Sequence, residues 1–116
     1  MKPWLNIIVL IVLADGLRAD EIFARTVQPF LKTYCVSCHG PNKQKGKIRV
    51  DQLKSTPRNR EEAELWARML EAMAFGEMPS DSAEKFPTKA KARAVQDWIG
   101  GMLAQAGRTV EDKRDK

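Results

Sequence analysis

Apolar residues fall into four stretches along the chain, and their spacing predicts the elements. Leu5 to Leu13 is almost unbroken, with Asn6 the one polar interruption. Between Glu21 and Tyr34, the residues Ile22, Phe23, Val27, Phe30, Leu31 and Tyr34 recur at roughly 3.6 positions, the period of an amphipathic helix. Pro29 lies inside that pattern, lacks a backbone donor and crowds the preceding turn, so a kink or an early break is expected there. Leu65, Trp66, Met69, Leu70 and Met73 repeat the helical spacing. Asn59 and Glu62 form a capping pair in front of them, and Gly76 behind them permits the left-handed residue that closes a helix, so a second helix is expected from about Arg60 to Phe75. Ala92, Val95, Ile99 and Met102 mark a third helix, with Trp98 at the edge of its apolar face and Thr88 as its cap. Gly100-Gly101 weakens its end.

The intervening segments read as loops. Residues 40–60 hold Gly40, Pro41, Gly46 and Pro57 among many basic residues, with Ile48-Arg49-Val50 as a brief extended piece. Pro79 and Pro87 bracket another loop. From Gly107 onward the chain is charged and aperiodic, which predicts a disordered tail over 107–116. No βαβ alternation is visible.

The first apolar stretch has a different meaning. Lys2 precedes it, Leu17-Arg18-Ala19 follows it, and its nine residues fall well short of the ~20 that cross a bilayer as a helix. Residues 1–19 therefore read as a secretory signal cut after Ala19, with a domain over 20–106. Export to the periplasm or beyond is the expected location, with no stable membrane span after processing.

Composition narrows the class. The 116 residues are 43% hydrophobic and 30% charged, too apolar and too evenly mixed in sign for a wholly disordered chain. Two cysteines exclude a disulfide-dense scaffold. The formal charge of +5 does not argue for nucleic acid, because the aromatics sit in helix patterns and are not interleaved with the basic residues.

The chemistry concentrates in Cys35-Val36-Ser37-Cys38-His39, which contains both cysteines and the only histidine. Two thiols at this spacing can add across both vinyl groups of one haem, and the next residue sets an imidazole against the iron. Three other readings stay open. A thioredoxin-like pair also uses this spacing but needs a βαβ scaffold; a zinc site needs a fourth ligand from a carboxylate; a plain disulfide needs neither. For a haem, a distal donor must come from methionine, since no second histidine exists. Met69, Met73 and Met102 lie on helix faces, where methionine ordinarily fills gaps in a core. Met78 stands apart in Gly76-Glu77-Met78-Pro79, a loop beyond a helix end that can reach across a flat porphyrin. Phe30, Leu31, Leu65, Trp66, Leu70 and Ile99 are the residues expected to bury that porphyrin.

Phe23, Val27, Pro29, Leu31, the CVSCHG stretch, Lys43 to Asp51, the GEMP loop and Asp97-Trp98-Ile99 occur in an order that resembles a planctomycete-type cytochrome c domain over roughly residues 20–104. The resemblance implies an all-α, small cytochrome c-like fold, about three helices wrapped around one haem c held by two thioethers. It implies Cys35 and Cys38 as attachment sites, His39 as proximal ligand and Met78 as distal ligand. Ser80 departs from the family, which often has a second proline there. Such domains usually open much longer exported proteins, so a free carrier and a truncated gene product are both open.

With imidazole and thioether on the iron there is no vacant site for substrate, and the expected function is one-electron transfer in the periplasm without catalysis. The alternative is a haem-based small-ligand sensor, or the electron-entry module of a larger exported enzyme. Lys43, Lys45, Lys47 and Arg49 are expected either to form a positive rim for an acidic redox partner or to be simply solvated.

Overall fold

The computed structural model describes residues 18–114, with side chains described to residue 107. Residues 1–17 of the expected signal segment lie outside the described residues. Among those described, the fold is all-α: three α-helices, no strands, and one isolated antiparallel bridge between His39 and Gln44. They are α1 (Gln28–Tyr34), α2 (Arg60–Ala74) and α3 (Lys89–Arg114).

Helical backbone already runs over 18–22 and reaches α1 through a π-helical turn, Phe23–Val27. The turn accounts for Pro29. In a regular α-helix, residue 29 would donate to the carbonyl of Arg25, which proline cannot do and which its ring crowds. Here Gln28 N–H reaches back five residues to Phe23 O, the backbone is re-phased by one residue, and Pro29 falls in the first turn of α1, where no donor is missed. The helix therefore neither breaks nor stops at the proline.

α2 has the ends that the sequence predicts. Asn59 Oδ1 accepts from Glu62 N–H at 2.9 Å. The Glu62 carboxylate does not reach back to the cap residue; it accepts from Arg58 N–H at 2.9 Å and from the Arg58 guanidinium. At the other end Gly76 takes φ 71°, its N–H donates to Met73 O at 3.2 Å, and Glu77 N–H donates to Ala72 O at 2.8 Å. This is the paired bonding of a Schellman closure.

α3 starts on the Thr88 cap, whose hydroxyl accepts from Lys91 N–H at 3.2 Å. It then continues through Gly100-Gly101 and past Gly107 to Arg114, where the sequence predicts a weakened end and a disordered tail. No proline follows Pro87, and most of residues 102–114 have reasonable helix propensity, so nothing in the backbone forces a stop.

The core joins these elements. Phe23, Val27, Phe30, Leu31, Val50, Leu53, Trp66, Val95 and Ile99 are buried in one cluster. α2 packs on α3, and the π turn packs on both α1 and α3. Phe23, Trp66 and Trp98 form an aromatic cluster, with ring centroids 5.4 Å apart for Phe23–Trp98 and 5.5 Å for Trp66–Trp98. Complete burial of Ile99 contributes about 1.5–3 kcal/mol. Of the nine core residues, only Val50 and Leu53 come from outside the helical segments, and they anchor the 40–60 loop.

Candidate haem site

Cys35 to His39 follow directly on α1 and fold as one further turn. Cys35 N–H donates to Leu31 O, and His39 N–H to Cys35 O, each at 2.9 Å. One turn thus carries both thiols and the imidazole. Gly40 follows because nothing larger fits: a Cβ there would run into the Val36 carbonyl and side chain.

The 40–50 loop then folds back on this turn. Gly40 N–H donates to Lys43 O, and Lys45 N–H to Cys38 O, each at 2.8 Å. A 3-10 turn at Lys45–Lys47, with Gly46 and Lys47 at φ 63° and 59°, reverses the chain and leads Ile48 out in an extended conformation. The expected short extended piece, Ile48 to Val50, therefore runs alongside the histidine.

His39 is held at two points. Its main-chain carbonyl accepts from Val50 N–H at 2.8 Å, and its ring Nδ1 lies 3.3 Å from Ile48 O. A carbonyl can only accept, so the proton of this hydrogen bond sits on Nδ1 and the lone pair on Nε2. That is the tautomer a metal-ligating imidazole needs. Asp51 secures the segment, receiving Arg49 Nε at 2.7 Å on one oxygen and a terminal guanidinium nitrogen at 3.0 Å on the other. The Arg49 guanidinium holds the Asp51 carboxyl below the usual carboxylate range. Arg49 is consequently half-buried and paired, so it leaves the expected positive rim, whereas Lys43, Lys45 and Lys47 remain exposed.

A cleft of about 400 Å³ opens between α1, the 48–50 segment and α2. Its wall brings together three of the four predicted site residues: Cys35, His39 and Met78. Cys38 lies on the same turn but outside that lining. The rest of the wall is mainly apolar, from Phe30, Tyr34, Ile48, Val50, Leu65, Met69, Ala72, Met73 and Pro79, with Arg68, Glu71 and Glu77 as its charged members. Of the six residues expected to bury a porphyrin, Phe30 and Leu65 line the cleft. Leu31, Trp66 and Ile99 instead lie within the core, and Leu70 is partly buried against it, outside the cleft lining.

Neither cysteine forms a disulfide. Burial, with a smaller contribution from Cys38, pushes the Cys35 thiol up to about 11. A dithiol oxidoreductase lowers the pKa of its attacking thiol, so this environment is the opposite of a thioredoxin-like one. Among the described residues, no group of three or more His, Cys, Asp or Glu side chains is placed to hold a metal ion, which also removes support for zinc.

Met78 is positioned differently from His39. The closure of α2 ties its backbone down, with Met78 N–H sharing the Ala72 carbonyl at 3.3 Å, and a cis peptide bond joins it to Pro79. The side chain is 44% exposed at the cleft margin. Met69 and Met73 also line the cleft from α2, while Met102 packs against the core.

The residues present fit a haem. A mainly apolar cleft, an imidazole with Nε2 available, a free thiol beside it and a thioether at the margin form one donor set. Sequence reasoning missed two parts of it. The Ile48 carbonyl leaves no trace in side-chain identity, and Arg68 looks in the sequence like any exposed helix residue.

Residues 35–82, from Cys35 to just beyond the Met78 loop, match the family model described as Planctomycete cytochrome C. No curated protein and no solved structure matches the chain.

Proposed function

We propose that this chain, whose residues 35–82 match the family model described as Planctomycete cytochrome C, is a single-haem c-type cytochrome acting by one-electron transfer in the periplasm. The family match supports a haem-based role in electron transfer; the ligands, the single electron and the location are our reading. The observation that carries it is the His39 ring, held through Nδ1 by Ile48 O on the wall of a cleft that also contains Cys35 and Met78.

When bound, a haem supplies the one-electron Fe(III)/Fe(II) couple. Cys35 and Cys38 would hold it through two thioethers. His39, its ring held through Nδ1 by Ile48 O, would supply Nε2 to the iron, and Met78 would supply a thioether. A soft sulfur donor favours the ferrous ion and raises the potential. Phe30, Leu65, Val50 and Ile48 exclude water from the cleft, which disfavours the extra charge of the ferric state. With His39 and Met78 both holding the iron, no position would be left for a substrate, as suits a carrier without catalysis. The leader over residues 1–19 supports export, and no described helix is long and apolar enough to cross a membrane. Lys43, Lys45 and Lys47 suit an acidic redox partner.

The exposure of Met78 favours a second reading, in which the thioether leaves the iron and the domain senses a small ligand. Carbon monoxide separates the two. The reduced native protein is expected to bind it poorly and Met78→Ala readily, with a lower potential. Ready binding by the native protein removes Met78 as a permanent ligand and supports the sensor.

A further inference from the structure

Arg68 is the only Lys or Arg in the cleft lining. The described arginines 25, 49, 58, 60 and 93 each have a carboxylate within 4.0 Å, four of them at a spacing of four residues. For Arg68, the carboxylate at that spacing is Glu64, which is instead taken by Arg60 at 3.2 Å. Among the described residues no carboxylate pairs with Arg68. An unpaired guanidinium on a mainly apolar wall is suited to an anion that enters with the ligand.

A haem brings such anions: two carboxylates on one edge of an otherwise apolar disc. We infer that Arg68 is the residue that pairs with a haem carboxylate, and so sets which edge of the haem faces α2. The planar guanidinium matches a carboxylate in a bidentate fork. Glu71 and Glu77, the acidic groups of the wall, repel a carboxylate, and Arg68 is the charged group that attracts one; Tyr34 is the remaining polar group besides Cys35 and His39, which the haem reading assigns to attachment and the iron. The inference rests on the haem reading and adds an electrostatic role. Pairing neutralises a negative charge beside the iron, and loss of the pair leaves that charge free to stabilise the ferric state and lower the potential.

The test uses Arg68→Lys, Arg68→Gln and Arg68→Glu in the holoprotein, read by midpoint potential at low ionic strength and by the haem propionate bending band in resonance Raman spectra. Arg68 is exposed on α2, so all three should fold, which far-UV circular dichroism checks. The expected result is a potential that falls in the order Lys, Gln, Glu, with a propionate band that moves in the Gln and Glu variants. An unmoved band overturns the inference whether or not the potential changes, because a remote charge shifts potential without touching the carboxylate. A native protein that comes out colourless refutes the haem reading itself, and the role of Arg68 falls with it.

Discussion

The two sides of the cleft are built to different standards. On the Cys35–His39 side, the imidazole is fixed at the level of the side chain: Ile48 O holds the ring, Val50 N–H holds the carbonyl, and the Arg49–Asp51 pair braces the extended segment that supplies both. On the Met78 side only the backbone is fixed, by Gly76 and the Ala72 carbonyl, and the thioether itself stands partly in solvent. The difference matches the chemistry of the two donors. A metal-ligating imidazole needs its tautomer and ring plane set by a second hydrogen bond, whereas a flexible thioether has no strong hydrogen bond to make and needs no such support. On the haem reading proposed above, preorganisation on one face and access on the other would let one small fold both receive and retain a large ligand.

The largest effect is expected where the preorganised side is removed. His39→Ala and the Cys35→Ser, Cys38→Ser double variant should lose essentially all covalently attached haem, measured as haem remaining with the protein after acid-acetone extraction. Met78→Ala should keep it. Equal losses on the two sides would erase the distinction between them.

A smaller and sharper contrast comes from the two glycines. Gly40→Ala forces a Cβ into the Val36 carbonyl beside the histidine and should destabilise the fold by about 2–3 kcal/mol in urea unfolding. Gly76→Ala meets no atom within 4 Å and incurs only the backbone cost of φ 71°, about 1 kcal/mol. The reverse order would mean that the turn under the histidine is the softer of the two.

The smallest effect concerns acid. Because Arg49 depresses the Asp51 carboxyl, the pair stabilises the fold above the ordinary carboxylate pKa of about 4, and that contribution is lost as pH falls through the lower folded value. Asp51→Asn should therefore weaken the protein near neutral pH and lose its effect in strong acid. Stability measured across that range checks the sign, and an effect that grows in acid would contradict it.

What the sequence made legible depended on whether side-chain identity carried the information. Asn59, Gly76 and Thr88 announced helix ends because capping uses particular residues, and the pentapeptide marked the candidate site because the chain contains no other Cys or His. The π turn was visible only as a difficulty at Pro29, since the same residues allow several ways around a missing donor. Periodicity identified Leu31, Trp66 and Ile99 as inward-facing but not what they face, so the division between solid core and cleft wall needed the packing of three helices. The Ile48 carbonyl had no signal at all, because every residue has one. The extent of α3 was hidden by reading glycine and charge as a stop, where both are tolerated in a helix without proline.

The central claim is that Cys35 and Cys38 hold a haem against His39. Intact-mass measurement of the protein produced in a host with cytochrome c maturation machinery tests it most directly. The expected result is a red protein heavier than its processed polypeptide by one haem. A colourless product carrying only the mass of its amino acids would contradict it.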